Sequence, residues 1–215
     1  MKAVLIPVKD PSRGKTRLAR LLSPEERRQL AWAMFEDVCR AVKPAAAPDR
    51  VVVVTSFAPA IELARSLEWE VIIEQSQLSE SASVDRASRL LKARGFDLVM
   101  RLPADVPLVR TEDIDELLSV ELRPPAALLV PSREGTGTNA IIRTPPDLFP
   151  SRFGPGSLAL HTEEAARAGA ECIIKHNPQI ALDIDEPSDI EALMRSGHGT
   201  RAFDLLSRMN LKFEI

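Results

Sequence analysis

The chain opens with a short apolar run that leads directly into a cationic turn: Ala3-Val4-Leu5-Ile6-Pro7-Val8-Lys9-Asp10-Pro11-Ser12-Arg13-Gly14-Lys15-Thr16-Arg17-Leu18. An apolar run of this length, bounded by turn residues, predicts a buried strand of a parallel sheet. The four cations after it could simply form a solvated basic loop. Their place directly after the first strand, where open α/β sheets bind ligands, favours a turn that binds phosphate.

Strand and helix patterns alternate along the rest of the chain. Further strands are predicted at residues 50–55, 70–74, 97–102, 126–130, 140–143, 172–174 and 181–184. Helices are predicted at about 24–43, 59–67, 84–94, 111–120, 157–168, 187–194 and 201–209, the first capped by Ser23 and the fourth by Thr111. This order predicts one α/β domain, a three-layer sandwich with a largely parallel sheet. We expect an antiparallel insertion in its irregular second half.

The composition narrows the class of protein. A net charge of −3 over 215 residues gives no electrostatic reason to expect a nucleic-acid partner. No apolar stretch reaches the length of a membrane span, and Lys9 interrupts the first apolar run before it resembles a signal peptide. Two cysteines, Cys39 and Cys172, fall on a predicted helix and a predicted strand, where they suit a core. We therefore expect a cytoplasmic protein.

Three aspartates are candidate metal ligands. Asp105 lies just beyond a predicted strand, at the sheet edge where the turn containing Lys15 also lies. Asp183 and Asp185 alternate along an extended segment, so their side chains share one face. Convergence of the three near a cationic turn would suit Mg²⁺, which prefers oxygen ligands. A capping or turn role for Asp105, and a solvated strand end for the other two, are the plainer alternatives.

Other catalytic classes have little support. The sequence contains no HExxH motif and no paired CxxC motif, and it lacks the Ser-His-Asp order of hydrolytic triads. His161 lies one turn into a predicted helix after Ser157. It either contacts an anionic substrate or has a structural role, and the sequence leaves both interpretations open.

Five motifs, in order over about residues 1–195, resemble one known family. They are Ile6-Pro7-Val8-Lys9 with Gly14-Lys15-Thr16-Arg17-Leu18-Ala19, Leu102-Pro103-Ala104-Asp105-Val106-Pro107-Leu108, Gly137-Thr138-Asn139-Ala140, Phe153-Gly154-Pro155-Gly156-Ser157 with His161, and Leu182-Asp183-Ile184-Asp185-Glu186-Pro187. Together they resemble the 2-phospho-L-lactate and phosphoenolpyruvate guanylyltransferases of coenzyme F-420 biosynthesis.

The resemblance implies a nucleotidyltransferase fold of the glycosyltransferase-A-like, Rossmann-like kind. It also implies transfer of GMP from GTP to 2-phospho-L-lactate, phosphoenolpyruvate or 3-phosphoglycerate, with release of pyrophosphate and with Mg²⁺ as cofactor. Residues 1–134 would form the nucleotide-binding half, and residues 135–195 the acceptor- and metal-binding subregion. A homodimer and a downstream transferase of the pathway are the candidate protein partners.

The family's site residues can be carried over to matching positions. The resemblance implies metal binding by Asp105, Asp183 and Asp185, and acceptor binding by Thr138, Gly154 and Ser157. It implies nucleotide binding by Pro7, Lys9, Lys15, Arg17 and Asp105, of which Lys15, Arg17 and Asp105 would be catalytic. Ser79 stands where the family pattern has asparagine, which predicts a looser preference for guanine.

Two other functions fit the same residues. One is a nucleotidyltransferase on this scaffold with a different acceptor, such as a sugar phosphate or a pterin. The other is a regulatory protein that binds GTP without transferring it, which would release no pyrophosphate.

Overall fold

The computed structural model describes residues 1–75, 79–209 and 211, with Arg13 described by its backbone alone. Its strands are β1 (Lys2–Pro7), β2 (Arg50–Thr55), β3 (Glu70–Ile73), β4 (Leu98–Arg101), β5 (Ala126–Pro131), β6 (Thr138–Thr144) and β7 (Glu171–Ile174). Its helices are α1 (Pro24–Val42), α2 (Ala58–Ser66), α3 (Glu80–Ala93), α4 (Thr111–Ser119), α5 (Ser157–Arg167), α6 (Pro178–Ala181), α7 (Pro187–Ser196) and α8 (Arg201–Ser207).

The strands form one sheet in the order β3-β2-β1-β4-β6-β5-β7. Strand β6 runs antiparallel to both of its neighbours, β4 and β5, and the other pairings are parallel. From β1 the chain first moves outward to β2 and β3, and then crosses back to β4 on the other side of β1. This reversal opens a crevice at the carboxyl ends of β1 and β4, where open α/β sheets bind ligands.

Strand β1 is buried on both faces, which explains its continuous apolar sequence. Val4 and Ile6 belong to a core that includes residues of α1, α2 and α4. Ala3 and Leu5 point to the opposite face and pack with residues of α3. Helices therefore cover both faces of the sheet, and the predicted three-layer α/β sandwich with a mostly parallel sheet is confirmed.

The predicted start of α1 is also confirmed. The Ser23 hydroxyl accepts the Glu26 N–H at 3.3 Å, and the Glu26 carboxylate accepts the Ser23 N–H at 2.7 Å. Pro24 occupies the first turn, where its missing N–H costs no hydrogen bond.

The predicted cap of α4 is wrong. Arg110, not Thr111, is the N-cap residue, and its N–H donates to the Asp113 carboxylate at 2.9 Å. The Thr111 hydroxyl instead donates to the Ala41 carbonyl at 2.9 Å, so it joins α4 to α1.

The predicted strand over residues 181–184 is also wrong. The Asn177 side chain accepts the Gln179 and Ile180 N–H groups and begins the short helix α6 there. The alternation along the next residues nevertheless holds, since Leu182 and Ile184 are buried in a core with residues of α1 and α7.

Both cysteines are free thiols, with Cys39 buried and Cys172 partly buried. Burial raises the pKa of the Cys39 thiol to about 12, in keeping with its predicted core position. Within residues 1–75, 79–209 and 211, no helix is long and apolar enough to cross a membrane.

The C-terminal helix α8 depends on one buried carboxylate of α1. The two Asp37 oxygens accept the N–H groups of Arg201 and Ala202 at 2.8 Å and 2.9 Å. Asp37 is 5% exposed, so these bonds lie away from water. Removing the carboxylate leaves two helix N–H groups without a hydrogen-bond acceptor. Asp37→Ala should therefore lower the free energy of unfolding, measured in urea, by about 1–3 kcal/mol.

Glu36→Ala is the matched control for this substitution. Glu36 forms a more exposed ion pair with the same residue, Arg201, at 3.3 Å. Its loss should cost no more than about 0.5 kcal/mol. Equal losses of stability for the two variants would contradict the role assigned to Asp37.

Candidate active site

Two neighbouring clefts open at the carboxyl ends of β1 and β4. The first, of about 440 Å³, is lined by the 132–139 hairpin, the loop before α5 and the aspartates that precede α7. The second, of about 340 Å³, is lined by the turn after β1 and by residues of α1. They share five lining residues: Glu80, Arg101, Pro103, Asp105 and Asp185. Ligands in the two clefts would therefore meet across one common wall.

Lys15 lines the second cleft and contacts two residues of this common wall. The cationic turn folds into two short 3-10 helices, Pro11–Arg13 and Thr16–Arg20, with Lys15 at the start of the second. Its backbone is left-handed, with φ 53°, a conformation that residues with a β-carbon rarely adopt. Its ammonium forms ion pairs with Asp105 and, at 2.7 Å, with Asp185. A strained backbone that places a charge in a cleft is typical of functional sites.

Lys15 and Asp105 each stabilise the ionised form of the other. Burial disfavours the ammonium, but the Asp105 and Asp185 carboxylates outweigh that effect and hold the pKa of Lys15 above its usual value. Burial likewise disfavours the Asp105 carboxylate, but the charge of Lys15 and its hydrogen bond outweigh this and lower the pKa of Asp105. The pair therefore stays ionised at neutral pH.

Asp183 has the opposite balance. Burial, followed by the negative charge of Asp105, raises its pKa to about 6. Asn139 partly offsets this effect by donating to the Asp183 carboxylate at 3.0 Å. The shift identifies Asp183 as the carboxylate of the cluster that most lacks a positive partner.

The segment that carries Asp183 and Asp185 is held at both ends. The Asn139 amide also donates to the carbonyls of Ile180 and Ala181, at 2.8 Å and 2.9 Å. Beyond the aspartates, the buried Asp189 carboxylate accepts the N–H groups of residues 185 and 186 at 3.1 Å and 2.8 Å. An Ile184 N–H to Asp105 carbonyl bond of 3.2 Å joins this segment to the loop after β4.

The three aspartates have the donor chemistry expected of a Mg²⁺ site. The negative charge of Asp105 contributes to the raised pKa of Asp183, so a divalent cation among these oxygens would offset that repulsion. In this arrangement, however, Asp105 and Asp185 bind Lys15, and no group of three or more His, Cys, Asp or Glu side chains in the described part of the chain is arranged to hold a metal. Mg²⁺ binding by these residues stays a prediction that their chemistry favours.

The predicted acceptor residues meet in the first cleft. Thr138 begins β6 and Ser157 begins α5, and the Thr138 N–H donates to the Ser157 hydroxyl at 2.8 Å. Gly156, with φ 70°, forms the left-handed N-cap of α5, and Gly154 lines the same wall. The Ser157 N–H donates to the Gly154 carbonyl at 3.1 Å, so this amide is already used within the loop.

Gly137 permits this close approach. A β-carbon at residue 137 would lie 2.9 Å from the Ser132 hydroxyl oxygen and 3.1 Å from its β-carbon. The Gly137 N–H donates to that same hydroxyl at 2.9 Å, which closes the hairpin between β5 and β6. A larger residue would therefore force Ser132 or the hairpin to shift.

The predicted nucleotide residues divide between the clefts. Pro7 and Lys9 line the second cleft, which also has aromatic walls from Trp32 and Phe57. Arg17 lines the first cleft instead, and its guanidinium lies 3.4 Å from a Glu186 carboxylate oxygen. Lys15 and Arg17 therefore face the common wall from different sides.

Arg101 is a site residue that the sequence analysis missed. It ends β4 at 6% exposure, forms an ion pair with Glu80, and donates to the Asn139 carbonyl at 2.5 Å. Its guanidinium carbon lies 4.3 Å from the centre of the Phe153 ring, and its Nε has no hydrogen-bond partner among the described residues. An arginine in the otherwise apolar run Leu98-Val99-Met100-Arg101-Leu102 was the available signal.

Ser79 has a structural role in the described part of the chain. Its hydroxyl accepts the Ala82 N–H at 3.1 Å and caps α3. Leu78, which completes the motif compared with the family pattern, lies outside the described residues. The looser guanine preference stays a prediction.

The raised pKa of Asp183 predicts a pH-dependent change in stability. A carboxyl group whose folded pKa exceeds its unfolded value stabilises the fold at low pH, and that contribution is lost as the pH rises through about 6. In the presence of a chelator at pH 7.5, Asp183→Asn should therefore raise the free energy of unfolding by about 1–2 kcal/mol. The gain should shrink toward pH 5, and exposed Asp204→Asn should show none. A loss of stability at pH 7.5 would contradict the electrostatic account.

Comparison with known proteins identifies the family. The whole chain, residues 1–215, matches the family described as "Guanylyl transferase CofC like". A phosphoenolpyruvate guanylyltransferase of Rubrobacter xylanophilus is 33% identical over 193 residues, which are 90% of this chain and 93% of that protein. A 3-phospho-D-glycerate guanylyltransferase of Colwellia psychrerythraea is 32% identical over 88% of this chain and 90% of that protein. A 2-phospho-L-lactate guanylyltransferase of Methanothermobacter thermautotrophicus is 31% identical over 95% and 89%.

Solved structures agree on the fold. A protein of Desulfovibrio desulfuricans G20, provisionally assigned as a nucleotide-diphospho-sugar transferase, superposes with a TM-score of 0.76 at 18% identity, over 96% of this chain and 94% of its own. A nucleotidyl transferase of Methanothermobacter thermautotrophicus superposes with a TM-score of 0.65 at 19% identity, over 90% and 95%. The chain thus has the nucleotidyltransferase fold that its motifs imply, and it belongs to the CofC-like family of guanylyltransferases.

Proposed function

We propose that this chain transfers GMP from GTP to a phosphorylated three-carbon acid and releases pyrophosphate, as a step of coenzyme F-420 biosynthesis. The acid is phosphoenolpyruvate, 2-phospho-L-lactate or 3-phosphoglycerate, the acceptors for which the relatives are named. The observation that carries the proposal is the Lys15 ammonium of the second cleft, which is held by Asp105 and Asp185 of the common wall. A cation in this position can neutralise phosphate groups of a nucleotide that reach the common wall.

The second cleft suits the nucleotide. The end of β1 and the cationic turn line one side of it, and the partly exposed side chains of Trp32 and Phe57 contribute apolar surface for a nucleoside. GTP bound here, with its phosphates directed toward Lys15, would extend to the common wall. Arg17, which is 64% exposed at the neighbouring cleft, can turn toward a triphosphate without breaking a buried contact.

The first cleft suits a small acid with two anionic groups. Thr138 and Ser157 both line this cleft, and they are 6% and 2% exposed. Arg101, which is paired with Glu80, places a guanidinium in the wall that the two clefts share. Short hydroxyl donors and one guanidinium match the carboxylate and phosphate of a three-carbon acid better than they match a bulky sugar.

The reaction needs alignment and charge neutralisation more than proton transfer. An oxygen of the acceptor phosphate attacks the α-phosphorus of GTP, and the bond from this phosphorus to the bridging oxygen of the β-phosphate breaks. Because the attacking phosphate is already ionised at neutral pH, it has no proton to lose and requires no general base. Lys15 would offset the negative charge where the two substrates meet, and Arg17 would offset that of the departing pyrophosphate.

Mg²⁺ would be held by Asp105, Asp183 and Asp185, and when bound it would neutralise charge on the reacting phosphates. Asn139 and Asp189 would keep the last two ligands in place through the hydrogen bonds that fix their segment. The product joins two phosphates in an anhydride, an activated form suited to a downstream transferase. We expect the enzyme to act in the cytoplasm, alone or as a homodimer, without nucleic acid.

The first test is pyrophosphate release with GTP and Mg²⁺, with the three acids assayed in parallel. We expect one acid to support turnover well above the other two. Pyrophosphate release with a sugar phosphate alone would indicate a different acceptor. GTP binding without turnover, under the same conditions, would favour the regulatory protein.

Asp105→Asn should reduce turnover by at least about 100-fold, because it removes one of the charges that organise the common wall. Near-wild-type circular dichroism and thermal unfolding would show that the fold is retained. Asp204→Asn, on the exposed side of α8, is the control and should leave turnover unchanged. Near-normal activity of Asp105→Asn in Mg²⁺ would refute the assignment of Asp105.

Ser157→Ala should raise the KM for the acceptor by about 10-fold, the cost of one hydrogen bond to an anion. The KM for GTP should stay within about twofold, since Ser157 lines only the first of the two clefts described. Steady-state kinetics with each substrate varied in turn measure both values. An equal rise in the two constants would argue against an acceptor role.

A further inference from the structure

His161 is fully buried and lines neither of the two clefts described. The side chain is 0% exposed and lies behind the first cleft, packed edge-on against Phe153 with ring centres 5.1 Å apart. Both ring nitrogens nevertheless have polar partners, and one of these partners, Thr138, lines the cleft. His161 is therefore one contact removed from the proposed acceptor.

The hydrogen bonds determine which ring nitrogen carries the proton. The Arg152 backbone N–H donates to Nε2 at 2.8 Å, and a backbone amide can only donate, so Nε2 must present its lone pair. A neutral imidazole then carries its proton on Nδ1, which lies 3.0 Å from the Thr138 hydroxyl oxygen. Nδ1 is the donor in that bond, and the Thr138 oxygen is the acceptor.

The surroundings keep the ring neutral. Burial, together with the positive charges of Arg143 and Arg101, lowers the pKa of His161 to about 4. A second proton would also have to reside on Nε2, where it would face the Arg152 N–H. Geometry and electrostatics therefore require the same single tautomer.

This arrangement controls the direction of the Thr138 hydroxyl. Because its oxygen accepts from His161, Thr138 keeps its own O–H proton for another partner, and Thr138 lines the first cleft. Ser157 follows the same pattern, because its oxygen accepts the Thr138 N–H at 2.8 Å. Two adjacent hydroxyls thus have an acceptor role filled from within, and their protons are free for an anion.

We propose that His161 is a positioning residue that makes the Thr138 hydroxyl a hydrogen-bond donor to an anionic group of the acceptor. The inference rests on the proposed function, since it assumes that the first cleft binds the phosphorylated acid. It gives the buried histidine a role in substrate affinity without any contact with substrate and without any proton transfer.

Two amide substitutions separate the two hydrogen bonds of His161. Asparagine places an N–H donor near the position of Nδ1 and can still donate to Thr138. Glutamine places its oxygen near the position of Nε2, so it can accept from Arg152 while losing the donor to Thr138. Each variant therefore retains the contact that the other loses.

The kinetic test uses whichever of phosphoenolpyruvate, 2-phospho-L-lactate and 3-phosphoglycerate the wild type accepts. We expect His161→Gln to raise the acceptor KM by about 10-fold, with the KM for GTP within about twofold. His161→Asn should stay closer to the wild type. Thr138→Val should raise the acceptor KM at least as much as His161→Gln does. The variant that combines Thr138→Val with His161→Gln should have an acceptor KM no higher than that of Thr138→Val alone.

A measurement on the substrate-free wild type tests the tautomer itself. Nitrogen-15 NMR of the histidine ring should show a protonated Nδ1 and an unprotonated Nε2 at pH 7. This reading does not depend on activity or on any variant being folded. A proton on Nε2 would overturn the inference even if every variant proved too unstable to assay.

The outcomes separate the inference from the function on which it rests. If the wild type releases no pyrophosphate with any of the three acids, the proposed function fails and the inference fails with it. If the wild type is active but His161→Gln leaves the acceptor KM unchanged, or its effect adds fully to that of Thr138→Val, only the inference fails. Equal increases for the asparagine and glutamine variants would also overturn it.

Discussion

The site depends on one buried cation, the Lys15 ammonium. It joins the turn after β1 to Asp105, 90 residues away, and to Asp185, 170 residues away. The Lys15 side chain is only 10% exposed, so its ammonium depends on these carboxylates, since an unpaired buried charge costs several kcal/mol. The Lys15 ion pairs, together with the Ile184 N–H to Asp105 carbonyl bond, therefore hold the three chain segments together where the two clefts adjoin.

Much of this arrangement could be predicted because it has local causes. The continuous apolar run of β1 reflects burial on both faces, and the capping box at Ser23 needs only four residues. The alternation of Asp183 and Asp185 with buried neighbours placed both carboxylates on the cleft side, although the segment forms no strand. Asn177-Pro178 was a helix-start signal in the same stretch, and the apolar residues after it masked it.

The residues that were missed act through contacts distant in sequence. Asn139 binds the carbonyls of Ile180 and Ala181, more than forty residues further along the chain. Arg101 forms an ion pair with Glu80, the first residue of α3. Nothing in the neighbouring residues specifies such partners, since an asparagine or an arginine has the same local preferences in many settings. Thr111 was assigned wrongly for the same reason. Its hydroxyl, which the sequence predicted to cap α4, instead donates to the Ala41 carbonyl of α1, a contact distant in sequence.

The antiparallel direction of β6 affects which parts of the site can change between related proteins. Because β6 runs against its neighbours, its first residue, and the hairpin over residues 132–137 before it, arrive at the edge where the parallel strands finish. The turn after β1 and the loop after β4 are joined by the Lys15–Asp105 ion pair, so a change of length in either would displace a charged group of the site. Residues 133–136, at the tip of the hairpin, are exposed, and exposed loop tips tolerate sequence changes better. The site is thus bounded on one side by two loops joined through an ion pair, and on the other by a hairpin whose tip can vary in sequence. Relatives in this family are named for three different acids.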